Sequence, residues 1–360
     1  MFISQQPQYA RQRKDDHVRL ALDQHQAGFQ SQFDQVRLIH HSFSQAKVDQ
    51  IHLTSHWANQ DHSLPFYING MTGGSHNTKR YNQMLAQVAA ETGLAMASGS
   101  VSAALSDPSV VDSYTIIRKE NPKGFVMANL GAHHHLENAK RAVDLLAADA
   151  LQIHLNIPQE IVMPEGDRDF SNWQENIYTI VQELGLPVIV KEVGFGMSQE
   201  TIQTLIDLGV TTIDLSGRGG TNFVQIENAR RDQLDYSALS TWGQTTPESL
   251  LEASPYLDQV TVLASGGITT YLDIFKALVM GAQAVGLSGH FLHMVDSKGV
   301  DKAVQTVEHW TQALKDLHLM VGAHCIQDLK TVPLLLSPQL QAYAQARGID
   351  WQAFGRRRRA

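Results

Sequence analysis

Short apolar segments rich in β-branched residues recur eight times along the middle of the chain, and stretches with helical spacing separate them. In order they are PFYING (65–70), LAMASG (94–99), GFVMANLG (124–131), ALQIHLN (150–156), PVIVKEVG (187–194), VTTIDLSG (210–217), VTVLASGG (260–267) and AVGLSG (284–289). Segments of this length and composition indicate buried strands. Strands that alternate with helices form either an open doubly wound sheet or a closed barrel, and the count of eight favours closure. The sequence therefore predicts an α/β fold, a (β/α)8 TIM barrel with N-terminal and C-terminal extensions.

The stretches between the strands indicate where helices begin and end. Residues 77–93 and 198–209 carry apolar residues at helical spacing. Gly185 and Gly209 stand where a helix must stop before the next strand, a position that favours glycine.

The length of the chain, 360 residues with 43% hydrophobic residues, is enough for one large domain or two ordinary ones. We expect a single barrel domain over residues 1–360. Its expected parts are an N-terminal extension (1–60), the barrel (61–335) and a C-terminal segment with a basic tail (336–360).

Composition and charge exclude several classes of protein. The formal net charge is −8 and no basic stripe appears in the body of the chain, so we expect no nucleic-acid partner. No apolar run approaches the roughly 18 residues of a membrane span, and the N-terminus lacks the apolar core of an export signal. The single cysteine, Cys325, excludes an internal disulfide framework. These features predict a cytoplasmic protein without a membrane partner.

Small and polar residues follow nearly every predicted strand, at the end of the barrel where such folds place their chemistry. HLNIPQEIVMPEGDRDF (154–170) follows the fourth strand and carries a histidine, two amides and several acids. The glycine pair 266–267 after the seventh strand and residues 288–289 after the eighth are together typical of a phosphate site built from backbone N–H groups. Lys191, in the fifth strand, would stabilise the anion of a reduced ring. FMN, with one phosphate and one polar ring, is therefore the expected cofactor.

A set of motifs adds a family resemblance to this interpretation. The motifs are RKDDH, MTGG, GS, ANLGA, HLNIPQE followed by PEGDRDF, VKEVGFG, SGRGGTNF and ASGGI. In combination they are specific, and from Arg13 to about residue 335 the chain resembles the type 2 isopentenyl diphosphate isomerases, which are FMN-dependent barrels.

The resemblance implies an activity in isoprenoid biosynthesis. Isopentenyl diphosphate would become dimethylallyl diphosphate by a 1,3-allylic proton shift with no net redox change. The resemblance implies reduced FMN and Mg²⁺ as cofactors, NADPH as the reductant, and a homotetramer or homooctamer. It also implies that FMN takes the acid–base role while the protein supplies position and electrostatics. Cys325 is then expected to be inert, in an outer helix after the eighth strand.

The resemblance also assigns roles to individual residues. The implied catalytic residues are His154, Gln159 and Lys191. The implied substrate-binding residues are Arg13, Lys14, His17, Asn156 and Gln159, with Arg13 and Lys14 of the N-terminal extension holding the diphosphate. Glu160 is the implied Mg²⁺ ligand, because a carboxylate oxygen suits this ion. The implied FMN contacts are Gly70, Met71, Thr72, Ser100, Asn129, Lys191, Ser216, Thr221, Gly266, Gly267, Ile268, Leu287, Ser288 and Gly289.

Several residues leave alternatives open. Phe223 stands where the family has Trp, and Ser102 where some relatives carry a basic residue that contacts phosphate. Glu227 is either a second acid near the flavin or a helix surface residue. For His133–His135 a solvated loop is favoured over a metal site, because three consecutive residues cannot share one helical face. For Arg356–Arg359 a disordered solvated tail is favoured over a polyanion patch.

Two other functions compete with isomerisation. FMN-dependent 2-hydroxy acid oxidases and dehydrogenases share the barrel and the phosphate site. They have a histidine base directly before the paired glycines after the sixth strand, where this chain has Arg218, and this difference argues against them. A non-catalytic flavin-binding protein would not need RKDDH together with Gln159 and Glu160.

Overall fold

A closed parallel barrel forms the centre of the molecule. The computed structural model describes residues 7–26, 31–44, 46–231 and 234–358. The strands, in chain order, are β1 (Val36–Leu38), β2 (Ser55–Trp57), β3 (Gln60–His62), β4 (Phe66–Ile68), β5 (Met96–Ala97), β6 (Val126–Gly131), β7 (Ala150–His154), β8 (Val188–Lys191), β9 (Thr212–Asp214), β10 (Thr261–Ser265), β11 (Ala284–Leu287) and β12 (Leu334–Leu336). Strands β4 to β11 are parallel neighbours in chain order, and β11 pairs with β4. The predicted (β/α)8 barrel and its predicted strands are confirmed.

Helices surround the barrel, and further helices precede and follow it in the sequence. They are α1 (Pro7–Gln26), α2 (His76–Thr92), α3 (Ser102–Ser106), α4 (Asp112–Glu120), α5 (Leu136–Leu146), α6 (Ile157–Val162), α7 (Trp173–Glu183), α8 (Gln199–Asp207), α9 (Phe223–Asn228), α10 (Thr246–Ala253), α11 (Tyr271–Met280), α12 (Gly289–Val321), α13 (Pro338–Ala346) and α14 (Gln352–Arg356). The expected helix stops at Gly185 and Gly209 are confirmed, with φ of 75° and 84°. In the described part of the chain, no helix is both long and apolar enough to cross a membrane, α12 included.

The start of α2 illustrates how local sequence fixes an element and also positions the site. The hydroxyl of Ser75 accepts the N–H of Thr78 at 3.1 Å, and Thr78 Oγ1 accepts the N–H of Ser75 at 2.9 Å. Such reciprocal capping stabilises a helix start by about 1 kcal/mol. The Ser75 hydroxyl also donates to Asp15 of α1, so the cap of a barrel helix holds the N-terminal extension.

The barrel interior is closed at the amino-terminal ends of its strands. Strands β2 and β3 form a hairpin whose turn residues Ala58 and Asn59 have φ of 48° and 59°. The hairpin places Trp57 5.1 Å from the ring of Tyr67 and 5.6 Å from the ring of Phe125. These rings are buried with the side chains that fill the barrel. The apolar filling lies at this end, and the polar strand ends lie at the other.

Segments near the two ends of the described chain pair with each other, and one prediction for this region is wrong. Strand β1 pairs antiparallel with β12, with Val36 opposite Leu336. The expectation that Cys325 lies in an outer helix is wrong. Gly322, with φ of 70°, ends α12, and Cys325 instead forms a parallel bridge with His52.

The basic run at the C-terminus is not simply a solvated tail. The guanidinium of Arg357 donates to the carbonyl of Val279 in α11 at 2.7 Å and lies 4.5 Å from the centroid of the Phe354 ring. Burial lowers the pKa of Arg357 to about 10. The expectation of a solvated tail is therefore wrong for Arg357, while Arg359 lies outside the described residues.

Candidate active site

A cavity of about 340 Å³ opens at the carboxyl-terminal end of the barrel strands. Sites for small molecules typically enclose roughly 300–1,000 Å³. Helix α1 packs on α2, α9 and α12 and adds Arg13, Lys14, His17 and His25 to the cavity lining. The N-terminal extension and the strand ends therefore form one site.

The residues predicted from the sequence are brought together here, with one exception. The predicted residues that line the cavity are Arg13, Lys14, His17, Gly70, Met71, Ser100, Asn129, His154, Asn156, Gln159, Glu160, Lys191, Ser216, Thr221, Gly266, Gly267, Ile268, Leu287, Ser288 and Gly289. Thr72 is not part of this lining. It is 3% exposed, and its carbonyl accepts the N–H of Gly99 at 2.9 Å. Thr72 thus supports the turn behind the cavity wall.

Glycine backbone forms the part of the wall between β9, β10 and β11. Gly266 and Gly267 have φ of 91° and 70°, a region that favours glycine. A Cβ atom on Gly266 would lie 1.9 Å from the carbonyl oxygen of Gly217, and one on Gly220 would lie 2.8 Å from the nitrogen of Gly267. The loops after β9 and β10 therefore pack backbone against backbone. Beside them Gly289 begins α12, and a helix start of this kind suits a phosphate.

A chain of buried amides runs below the cavity from Asp214 to His154. Asn69 Nδ2 donates to Asp214 at 2.6 Å, and Gln152 Nε2 donates to Asn69 Oδ1 at 3.0 Å. Asn129 Nδ2 donates to Gln152 Oε1 at 3.1 Å, which leaves Asn129 Oδ1 2.8 Å from His154 Nδ1. Because a carboxylate only accepts, its position orients each amide in turn. The chain places the proton of a neutral His154 on Nδ1 and leaves Nε2 as an acceptor.

Lys191 and His154 lie at the ends of the adjacent strands β8 and β7. Lys191 ends β8, is 5% exposed and donates from Nζ to the carbonyl of Glu192 at 2.6 Å. Burial lowers the pKa of Lys191, against the opposing charges of Asp214 and Glu192. Burial, and then the charge of Lys191, lower the pKa of His154 well below its usual value. His154 is therefore neutral at pH 7.

The loop after β7 positions an amide and a carboxylate. Glu160 accepts Asn156 Nδ2 at 2.8 Å on one oxygen and the N–H of Asp167 at 2.9 Å on the other. Gln159 Nε2 donates to Glu227 Oε1 at 2.8 Å. Glu227 is fully buried, so the alternative that it is a helix surface residue is wrong. This buried acid holds Gln159 from behind the cavity wall.

Helix α1 brings a concentrated positive charge to the cavity. Arg13 and Lys14 are adjacent, and burial together with the charge of Arg13 lowers the pKa of Lys14 to about 7. His17 Nε2 lies 2.9 Å from Glu227 Oε1, yet burial still lowers the pKa of His17. The mouth of the cavity is therefore suited to an anion.

The lining fits both implied cofactors. The glycine loops and the start of α12 form the cradle that a phosphate needs, and Lys191 faces the same cavity. Within the described residues, Asn156 Oδ1 is buried without a hydrogen-bond partner, so it retains an acceptor for a ligand. No group of three His, Cys, Asp or Glu side chains among those residues forms a metal cage. Mg²⁺ does not need one, because it is commonly held by one carboxylate, substrate phosphates and waters.

The three consecutive histidines lie in the loop between β6 and α5. His134 Nε2 lies 2.7 Å from Ser102 Oγ, and His135 Nδ1 lies 2.7 Å from Asn176 Oδ1. His133 lines the cavity. The loop is as predicted, but its side chains are partly bonded to the barrel and are not merely solvated.

Some lining residues carried no predicted role. Phe223 lines the cavity and packs edge-on against His17, with ring centroids 5.9 Å apart. An aromatic ring at this position therefore supports α1. Glu165, His25 and His290 also line the cavity.

The chain matches a known class of protein and, within it, one family. Residues 111–334 match the family described as FMN-dependent dehydrogenase, so fold and sequence together define a flavin-binding barrel of this class. An isopentenyl-diphosphate delta-isomerase of Staphylococcus epidermidis is 49% identical over 338 residues, which is 94% of this chain and 97% of the relative. The enzyme of the same name from Latilactobacillus sakei is also 49% identical over 338 residues, with the same shares covered. The chain belongs to the isopentenyl-diphosphate delta-isomerase family.

Solved structures support the fold. A flavocytochrome b2 variant superposes with a TM-score of 0.62 at 17% identity, over 92% of this chain and 80% of that chain. A mandelate oxidase variant superposes with a TM-score of 0.61 at 16% identity, over 92% of this chain and 98% of that one. At these identities the likeness concerns the barrel alone.

Proposed function

We propose that the protein converts isopentenyl diphosphate to dimethylallyl diphosphate by a 1,3-allylic proton shift that uses reduced FMN and Mg²⁺. The observation that carries the proposal is that two anion-binding features face one cavity. The glycine loops suit the phosphate of FMN, and Arg13 and Lys14 of α1 suit a second anion. Relatives with 49% identity carry the name of this isomerase.

The diphosphate would bind between α1 and the loop after β7. Arg13 and Lys14 would neutralise its charge, with Asn156 and His17 beside them. Glu160 would hold Mg²⁺ through a carboxylate oxygen, because both its oxygens accept only one hydrogen bond each in the described structure. A diphosphate and waters would complete the coordination of this ion.

The hydrocarbon end of the substrate would then lie over the flavin. Reduced FMN supplies the acid–base group for the proton shift when it is bound. Lys191 would stabilise negative charge on the reduced ring, because it is a buried cation in the same wall. Gln159, held by Glu227 at 2.8 Å, and neutral His154 would orient the reacting carbons. These residues would position the substrate and the flavin for proton transfer.

Further parts of the proposal concern the cellular context. We propose NADPH as the reductant of FMN, a cytoplasmic location and assembly into a homotetramer or homooctamer. Phe43 and Met320 support assembly, since they are 82% and 53% exposed. Their segments are adjacent, because the N–H of His41 donates to the Met320 carbonyl at 3.3 Å. Sedimentation of the FMN-loaded protein measures the state directly.

The site does not favour oxidation of 2-hydroxy acids. The residue before the paired glycines of the loop after β9 is Arg218, and its Nε donates to the carbonyl of Gly243 at 3.4 Å. Arg218 lines a separate cavity together with Glu192 and Trp242. A base for removing a proton from a hydroxy acid is therefore missing from this position.

An anaerobic assay tests the proposal. The protein is incubated with FMN, Mg²⁺, isopentenyl diphosphate and a sub-stoichiometric amount of dithionite, and the product is identified by proton NMR. We expect many turnovers per reducing equivalent, since the reaction has no net redox change, and no turnover with oxidised FMN. NADPH should replace dithionite. Flavin bleaching by a 2-hydroxy acid, without conversion of isopentenyl diphosphate, would instead establish the oxidase alternative.

A further inference from the structure

Two residues of α1 each contact a buried acid, and one arginine joins the two acids. Arg13 Nη1 lies 3.3 Å from Glu165 Oε1, and His17 Nε2 lies 2.9 Å from Glu227 Oε1. Arg230 Nη2 lies 2.9 Å from the same oxygen of Glu165, and Arg230 Nη1 pairs with Glu227. The helix that brings cations to the cavity is thus tied to the barrel through an ionic chain.

The acids and the arginine at the centre of this ionic chain are shielded from water. The side chains of Glu165 and Arg230 are both 7% exposed, and that of Glu227 is fully buried. Buried charges are stable only when partners and hydrogen bonds offset the loss of hydration. A guanidinium meets this need for two carboxylates at once, because its donors form a rigid planar fork. Lysine, with a compact ammonium, cannot reproduce the same bridge.

The partners of Glu227 stabilise its charged form, and His17, which is neutral at pH 7, contributes its close contact and not a charge. Burial alone would raise the pKa of Glu227, but His17, Arg230 and Gln159 outweigh it and lower the pKa to about 2. Burial alone would lower the pKa of Arg230. Glu227 and Glu165 stabilise its charged form more strongly, so its pKa is raised. Glu227 therefore presents accepting oxygens to α1 at neutral pH.

We propose that Arg230 and Glu165 are positioning residues that dock α1 and thereby present Arg13 and Lys14 to the substrate diphosphate. The contact of Glu165 with Arg230 is 2.9 Å, shorter than its 3.3 Å contact with Arg13. Within the described residues, Arg13 Nε is buried without a hydrogen-bond partner. Arg13 thus retains a donor for the anion while Glu165 stays anchored on Arg230. The identity of the anion rests on the proposed function, whereas the docking of α1 does not.

The two positioning residues act on different parts of the site. Glu165 contacts Arg13, so it governs the anion end. Arg230 contacts Glu165 and also Glu227, which holds Gln159 at 2.8 Å. Loss of Glu165 should therefore raise KM with little change in kcat. Loss of Arg230 should raise KM and also lower kcat.

The test compares full-length, FMN-loaded variants with the parent. The variants are Glu165→Gln, Arg230→Met and Arg230→Lys. Arg19→Met is the matched control, because Arg19 is 62% exposed and its ion pairs, with Asp16 and Asp23, lie within α1. Binding of inorganic pyrophosphate with Mg²⁺ is measured by calorimetry, and docking of α1 by deuterium exchange of its amides. Isomerase kinetics provide the KM and kcat of each variant.

We expect Arg230→Met to weaken pyrophosphate binding about 10- to 100-fold, the range seen when groups that orient a ligand are lost. Exchange of the α1 amides should accelerate in this variant. Glu165→Gln should weaken pyrophosphate binding by roughly tenfold, Arg230→Lys should lie between parent and Arg230→Met, and Arg19→Met should stay within about twofold of the parent.

Three other results would contradict the docking role or the proposed function. Parental exchange and parental pyrophosphate affinity in both Glu165→Gln and Arg230→Met would overturn the proposal. Tighter pyrophosphate binding by Glu165→Gln would also overturn it, since Glu165 would then compete with the anion for Arg13. If Arg230→Met does not bind FMN, the amide exchange and pyrophosphate affinity of Arg230→Lys and Glu165→Gln test the proposal instead. A parent that binds pyrophosphate without isomerising isopentenyl diphosphate would refute the proposed function and leave the docking measurements valid.

Discussion

Lys14 illustrates how one residue can link burial to pH dependence. Burial and the adjacent charge of Arg13 lower the pKa of Lys14 to about 7, against the charge of Glu227. Only the protonated ammonium attracts a diphosphate. Burial keeps His17 and His154 neutral in the same range, because their pKa values are lowered from 6.5. Lys14 is thus a cation of the described cavity lining that titrates near neutral pH.

Affinity for pyrophosphate should fall as pH rises above 7. In the free protein Lys14 loses its proton above this pH, so binding must take one up. We expect the dissociation constant to rise about tenfold per pH unit above pH 7, until the higher pKa of the bound state is reached. Lys14→Arg should abolish this dependence, since a guanidinium stays protonated. Calorimetry of both proteins on the same ligand corrects for the ionisation of pyrophosphate. Parallel pH profiles for the two proteins would assign the titration to another group.

Glu160 should act on the diphosphate through Mg²⁺. Replacing Glu160 by Gln removes the charge but keeps the shape, and Asn156 and the N–H of Asp167 retain an oxygen to contact. We expect the Mg²⁺ concentration needed for half-maximal rate to rise about 10- to 100-fold, with FMN binding nearly unchanged. Added Mg²⁺ should restore part of the rate. A collapsed rate at every Mg²⁺ concentration, with unchanged Mg²⁺ dependence, would make Glu160 an acid–base group.

The closely packed loops after β9 and β10 should determine the affinity for FMN. A Cβ atom at Gly266 would lie 1.9 Å from the Gly217 carbonyl oxygen, and φ at Gly266 is 91°. Gly185 is the matched control, because its φ is 75° but a Cβ atom there would meet nothing within 4 Å. Gly266→Ala should lose FMN affinity, whereas Gly185→Ala should only cost about 1 kcal/mol of stability. Flavin fluorescence titration and thermal unfolding separate these effects. Equal FMN affinity in both variants would show that FMN binding does not require the close packing of these loops.

The strands and the strand-end residues could be predicted because their signals are local. A run such as PVIVKEVG contains both the buried strand and Lys191 at its end, and a parallel barrel gathers all such ends at one face. The ion pair of Glu165 with Arg230 joins residues 65 apart in sequence. No periodicity marks such a contact, because it depends on how two loops after different strands face each other. The absence of Thr72 from the cavity lining has a related reason. Its motif predicts the turn but not which side chain of the turn faces the cavity.

The C-terminal segment is fastened to the outside of the barrel. Arg347, beside α13, donates to Glu252 of α10 at 2.8 Å and to Glu200 of α8 at 2.7 Å. Tyr343 OH also donates to Glu252 at 2.7 Å. Glu252 is fully buried, while the Arg347 side chain is 34% exposed.

The division of the chain at residue 335 stays a prediction, and β12 crosses that position.

Arg347→Met should destabilise the fold without altering the cavity. Removing one partner of a buried pair costs about 3–5 kcal/mol, and the exposure of Arg347 reduces the expected loss to about 2 kcal/mol. Burial would raise the pKa of Glu252, but Arg347 and Tyr343 outweigh it and lower the pKa. The lowered pKa stabilises the fold above the unfolded value of about 4.3, and that stabilisation is lost as pH falls through the folded pKa. The defect in thermal unfolding should therefore be full at pH 7 and shrink below about pH 4. Arg356→Met is the control, since the side chains of Arg356 and Asp350 are 58% and 62% exposed, and such a pair contributes less than about 1 kcal/mol. Equal losses in the two variants, or a loss that does not change with pH, would show that the buried carboxylate does not depend on Arg347.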